Sequence, residues 1–131
     1  MDLNAMLQML HANRFETASV LLFVVGLAGM VFNRNLFKKV VSMGFMDSAI
    51  FLFLTSSGFV EGRLAPIVTN PAVPASAEVY SNPLPAGLVL TGIVVSVSFT
   101  AFGLALTQRL YKRYGSLNID EIMMRAQKSE D

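Results

Sequence analysis

The sequence predicts an all-α integral membrane protein with three transmembrane helices, its N-terminus outside and its C-terminus cytoplasmic. Three observations predict it. Apolar runs occupy residues 17–32, 40–60 and 86–107. All five prolines fall in 61–85, between the second and third runs. Lys and Arg collect at the ends of runs that three crossings would bring to one side. A span needs roughly 20 apolar residues, each rising about 1.5 Å. Residues 40–60 carry a single charge, Asp47, and residues 86–107 carry none.

Composition sets the outer bounds. A chain of 131 residues fits one domain, here a three-helix membrane domain over residues 1–131. The net charge of +1 points to no nucleic-acid partner and no acidic tail. Cysteine is absent, which excludes disulfides and thiolate metal sites. The single histidine, His11, excludes a multi-histidine metal site.

The elements follow in order. In residues 2–14, Leu3, Met6, Leu7 and Leu10 share one helical face. This segment extends the first span or lies as a short helix at the interface. The first span, 17–32, is longer than the apolar core of a signal peptide, and no small-residue cleavage site follows it. It is read as a retained span, and Gly26 and Gly29 permit close helix approach. Residues 33–39 form a tight basic turn containing Arg34, Lys38 and Lys39. The second span is 40–60. Pro66, Pro71, Pro74, Pro83 and Pro85 make 61–85 a loop. The third span is 86–107, followed by Arg109, Lys112 and Arg113 with Tyr111 and Tyr114 as interfacial anchors. In the tail, 108–131, Asn118 and Glu121 have the spacing of a capping box, predicting a short surface helix over about 119–128.

Orientation follows from the basic residues. Arg34, Lys38 and Lys39 lie in one turn, and Arg109, Lys112 and Arg113 after the third span. Only Arg14 and Arg63 lie on the opposite side. The positive-inside rule puts the basic turn and the tail in the cytoplasm, for a multi-pass protein of the cell (inner) membrane.

Asp47 is the chemical feature of the spans. It falls roughly 15 Å beyond the Lys38–Lys39 edge, near mid-bilayer. A central carboxylate costs at least about 2.5 kcal/mol on insertion scales, so it needs a partner. Gly44, Ser48, Phe51, Thr55 and Gly58 lie close to it on the helix, and this small, partly polar face should turn toward protein. Two readings stand: a relay for H⁺ or a transient ligand for Na⁺, or a structural group paired with a Lys or hydroxyl of a partner subunit. In the third span, Gly92, Ser96, Thr100 and Gly103 form a small-residue stripe. It reads as a helix-packing seam, or, with Ser98, as the lining of a hydrated path. The candidate path residues are thus Asp47, Ser48, Thr55, Ser96 and Thr100. No Gly-rich phosphate loop, metal-ligand cluster or nucleophile with a base is present, so no catalytic activity of its own and no cofactor or metal is expected. Three helices enclose little of a pore, which points to a larger assembly.

The segment Asn82-Pro83-Leu84-Pro85-Ala86-Gly87-Leu88-Val89-Leu90-Thr91-Gly92-Ile93-Val94-Val95, with Phe99-Thr100-Ala101-Phe102 after it, closely resembles the MrpC (MnhC) family of Mrp-type multisubunit Na⁺/H⁺ antiporters. That family is in turn similar to the NuoK-like membrane component of respiratory complex I. The resemblance covers roughly residues 17–110. Two departures stand out. Ala86-Gly87 replaces the usual Gln-Ala after the second proline, and the two buried glutamates of the NuoK-like proteins fall on Gly44 and Ser96 here. Asp47 lies one turn after Gly44, on nearly the same face. The resemblance implies a non-catalytic subunit packed beside larger antiporter-like subunits in the lipid bilayer. The alternative it implies is the same protein in a membrane-bound hydrogenase or related respiratory complex that couples redox chemistry to H⁺ or Na⁺ transport. An unrelated small oligomeric membrane protein, such as a holin or a small multidrug exporter, is the remaining reading.

Overall fold

The computed structural model describes residues 2–76 and 78–130. Five helices follow in order: α1 (Leu3–Ala12), α2 (Arg14–Phe32), α3 (Leu36–Gly58), α4 (Leu84–Tyr114) and α5 (Ile119–Glu130). No strand forms among the described residues; only the isolated bridges Asn35–Asn118 and Leu64–Tyr80 are present. Helices α2, α3 and α4 are long and apolar enough to cross a membrane.

The helix ends differ from the sequence expectation for local reasons. Helix α1 is separate from α2, broken at Asn13 with φ −106° and ψ 40°, and carries no buried residue. The basic turn is shorter than residues 33–39. Asn35 Oδ1 accepts the backbone N–H groups of Phe37 and Lys38, starting α3 at Leu36. Lys38 and Lys39 therefore belong to the first turn of α3. Lys39 Nζ donates to the Met30 carbonyl at 2.7 Å, satisfying one of the free carbonyls at the end of α2. Helix α3 stops at Gly58 instead of Val60, because Phe59 is extended at φ −82°, ψ 126°. Helix α4 runs on through the basic segment to Tyr114 and ends on Gly115 at φ +68°, the left-handed conformation that suits glycine.

Small residues set the helix packing. Without a hydrophobic force between helices in lipid, close backbone approach supplies the contact energy. A Cβ built on Gly26 would stand 2.8 Å from Met46 Cγ and 2.9 Å from its backbone nitrogen. One on Gly29 would meet the Ser42 hydroxyl. Both glycines thus let α2 lie directly on α3. On the other side of α3, α4 is antiparallel and in register. Gly58 meets Pro85, Phe51 meets Gly92, Asp47 meets Ser96 and Val40 meets Gly103. The contact positions move by seven, four and seven residues on both helices, the spacing of two helices crossing at a shallow angle. α3 packs against both neighbours, while α2 and α4 have no packed interface with each other. The outer faces of α2 and α4 are apolar and exposed, including Leu21, Val24, Val25, Leu90, Val94 and Phe102.

The tail is strapped to the basic turn. Leu36 N–H donates to the Leu117 carbonyl at 2.9 Å, and Ile119 N–H to the Arg34 carbonyl at 3.0 Å. Arg34 and Asp120 form an exposed ion pair at 2.7 Å. The turn and the tail therefore share one end of the bundle, here called the basic end. Residues 61–83 lie at the other, where Leu64 pairs with Val79 and Ser81 through backbone hydrogen bonds. The capping box differs from expectation. Asn118 Oδ1 accepts from Asp120 N–H, but Glu121 reaches the Ser116 hydroxyl at 2.6 Å, and that hydroxyl oxygen accepts the Asn118 N–H.

Candidate functional site

Asp47 stands eleven residues from either end of α3, at the middle of the span. Its partner is in the same chain: Ser96 Oγ donates to Asp47 Oδ2 at 2.6 Å. The pair is partly buried between α3 and α4. Oδ1 receives no hydrogen bond from the described residues, and no Lys, Arg or His among them pairs with the carboxylate. A hydroxyl relieves part of the desolvation cost of a carboxylate without neutralising it. The second oxygen is therefore free to take a proton, a cation, a water or a donor from another chain.

The other sequence candidates divide. Thr100 is half-buried on α4, one turn from Ser96 toward the basic end, on the face that meets α3. Gly92, Ser96, Thr100 and Gly103 all lie on that face, and Thr107 continues it with its hydroxyl donated to the Gly103 carbonyl. Ser48 and Thr55 are exposed, and Thr55 lines the cleft at the loop end of the α3–α4 contact. Ser48 donates to the Gly44 carbonyl at 2.9 Å and Thr55 to the Phe51 carbonyl at 2.8 Å, each on its own helix. Ser98 likewise donates to Val94. The structure thus joins Asp47 to Ser96, while the hydroxyls of Ser48, Thr55 and Ser98 bond to their own helices.

Two features of the site had no role assigned from sequence. Phe51, one turn from Asp47 toward the proline-rich loop, seats its ring on Gly92. A Cβ there would come within 2.6 Å of Phe51 Cε1. Gly44, one turn toward the basic end, has no side chain and no neighbouring helix within 4 Å of where its Cβ would be. The only sequence signal for this asymmetry is that a glycine falls at each position.

A cleft opens at each end of the α3–α4 seam. The one at the loop end, about 290 Å³, is lined by Thr55, Gly58, Phe59, Pro85 and Ala86 with loop residues. The one at the basic end, about 500 Å³, is lined by Phe37, Leu104, Thr107, Gln108, Tyr111 and Leu117. No group of three or more potential metal ligands occurs among the described residues.

Residues 14–126 match the family described as NADH-ubiquinone/plastoquinone oxidoreductase chain 4L. The chain is 36% identical over 107 residues to the C component of a Na⁺/H⁺ antiporter of Alkalihalophilus pseudofirmus, covering 81% of this chain and 88% of that one. It is 30% identical over 108 residues to the C1 component of a Na⁺/H⁺ antiporter of Staphylococcus aureus, covering 79% and 91%. Among solved structures, it is similar to a chain of the membrane-bound sulfane sulfur reductase, an archaeal respiratory membrane complex. The TM-score is 0.75 at 36% identity, covering 82% of this chain and 94% of that one.

Proposed function

Because the chain belongs to the NADH-ubiquinone/plastoquinone oxidoreductase chain 4L family, we propose that it is a non-catalytic membrane subunit of a multisubunit Na⁺/H⁺ antiporter of the Mrp type. In this role it supports cation or proton translocation by larger antiporter-like subunits in the cell membrane, with its tail in the cytoplasm. The observation that carries this reading is the Asp47–Ser96 pair at mid-span, with one carboxylate oxygen left unbonded. An acid within a span is a functional-site hypothesis by default, because a charge there is costly and needs a partner. Asp47 takes and releases H⁺, or transiently holds Na⁺, and Ser96 fixes its orientation.

The test is Asp47→Asn in the assembled complex. The variant keeps the size of the side chain and an acceptor for Ser96. The expected outcome is normal recovery of the complex with loss of cation-coupled transport. Loss of the complex itself would make Asp47 structural, and undiminished transport would remove it from the ion path.

The second reading places the same protein in a redox-driven complex. It is favoured by the similarity to the chain of the membrane-bound sulfane sulfur reductase. Purification of a tagged copy in mild detergent, with mass spectrometry of its partners, separates the two. Antiporter-like subunits alone support the antiporter. The same subunits with iron–sulfur proteins support the respiratory complex. Recovery of this chain alone rules out both.

A further inference from the structure

The α3–α4 seam is unequal on the two sides of Asp47. Toward the proline-rich loop, the next contact is the Phe51 ring on Gly92, with no room for even a methyl group between them. Beyond it lies the cleft that contains Thr55, and the seam is closed again where Pro85 meets Gly58, 2.8 Å from that residue's Cβ position. Toward the basic end, the next residue on α3 is Gly44, whose Cβ position stands in open space. On α4, half-buried Thr100 lies one turn from Ser96 toward the basic end. Val40 then packs on Gly103 more loosely, since a Cβ built on Gly103 would stand 3.5 Å from Val40 Cγ2, and the cleft with Thr107, Gln108 and Tyr111 follows. The seam is therefore looser on the basic side, with Gly44 in open space and Val40 at ordinary distance, than on the loop side, where the Phe51 ring is pressed onto Gly92.

We infer that Phe51 is an occluding side chain: seated on Gly92, it shuts Asp47 off from the loop-side cleft and leaves the acid reachable from the basic end through the opening at Gly44. A ring wedged between two helices excludes water from the layer it fills, because a gap too small for a water molecule cannot hydrate an ion. The unbonded oxygen of Asp47 then exchanges with one side only unless Phe51 moves. This inference deepens the reading of Asp47 as a relay and rests on it for its functional meaning, but the occlusion is testable by itself.

The chain contains no cysteine, so single-cysteine variants report one position each. Gly44→Cys, where space is free, and Thr55→Cys, which lines the loop-side cleft, are placed in the full complex in sealed vesicles of both orientations. Each is treated with a membrane-impermeant thiol reagent. The expected result is labelling of Gly44→Cys from the basic side only and of Thr55→Cys from the loop side only. Adding Phe51→Ala to Gly44→Cys should bring labelling from the loop side as well. Labelling of Gly44→Cys from the loop side with Phe51 intact, or no labelling from the basic side, overturns the inference. If Phe51→Ala prevents assembly, Phe51→Leu takes its place, and unchanged one-sided labelling in an assembled variant equally overturns it. One-sided access together with normal transport by Asp47→Asn would leave the occlusion standing and remove the relay.

Discussion

The Ser96 hydroxyl and the Asp47 carboxylate meet at 2.6 Å across two antiparallel helices, halfway through the span. Neither residue bonds to its own helix backbone in the way Ser48, Thr55 and Ser98 do. A serine in a helix usually gives its hydrogen to the carbonyl one turn back. Ser96 gives it to a different helix, which marks the pair as an inter-helix bond.

Ser96→Ala should leave the complex assembled and impair transport. Removing the donor from a partly buried carboxylate costs about 1–3 kcal/mol, enough to mobilise Asp47 without dissolving a helix pair held at Phe51–Gly92 and Gly58–Pro85. Ser96→Leu should instead break the seam, because a large side chain blocks the approach of α3. Recovery of the intact complex together with transport rates separates the two. An intact complex bearing Ser96→Leu would show that the helices do not pack as described.

Glycine substitutions should follow the space beside each residue. Gly92→Leu should prevent stable packing, and Gly92→Ala should lower the thermal stability of the purified complex by forcing Phe51 aside, at a typical cost of about 1–3 kcal/mol. Gly26→Val should do the same between α2 and α3, where Met46 leaves no gap. Gly44→Ala, with nothing within 4 Å, should be neutral or slightly stabilising. A thermal-shift series in detergent reads all of these, and equal losses at Gly44 and Gly92 would contradict the packing.

Gly115→Ala should loosen the tail without disturbing the spans. At φ +68° a side chain adds about 1 kcal/mol of strain, and the Arg125 guanidinium lies 3.3 Å from the added carbon. Limited proteolysis should cut the 115–118 linker sooner in the variant, with transport preserved.

Arg34→Gln should change little. The Arg34–Asp120 pair is solvent-exposed on both sides, and such pairs contribute about 0–1 kcal/mol, less at high salt. Asn35→Ala should cost more, about 1 kcal/mol, because it removes the acceptor for two N–H groups at the start of α3. Thermal melts at low and high salt distinguish the electrostatic from the capping effect.

The three spans, the proline loop and the surface helix of the tail were legible because each is a local property: run length, proline content, turn spacing. Asp47 was legible as a costly group, and Ser96 and Thr100 as part of a small-residue face. Their pairing was not. Which residue of α3 meets which of α4 depends on register and helix rotation, and these are set jointly by Gly58–Pro85 and Phe51–Gly92. Ser48 and Thr55 carry hydroxyls as Ser96 does, and sequence does not tell that theirs bond to their own helix while that of Ser96 crosses to α3. The Lys39–Met30 bond and the strap of Leu117 and Ile119 onto residues 34–36 join segments far apart in sequence or buried in a turn, where no periodicity announces them.

Helices α2, α3 and α4 stand in a row, with α3 in the middle. A row is a partition one helix thick, and a partition bounds a passage on one flank only. An ion path at Asp47, as proposed, is therefore walled only in part by α3 and α4 and needs another body to complete the wall. Isolated in lipid, the protein should conduct nothing. As proposed, its contribution to transport is part of a shoreline, with one acid at its midpoint.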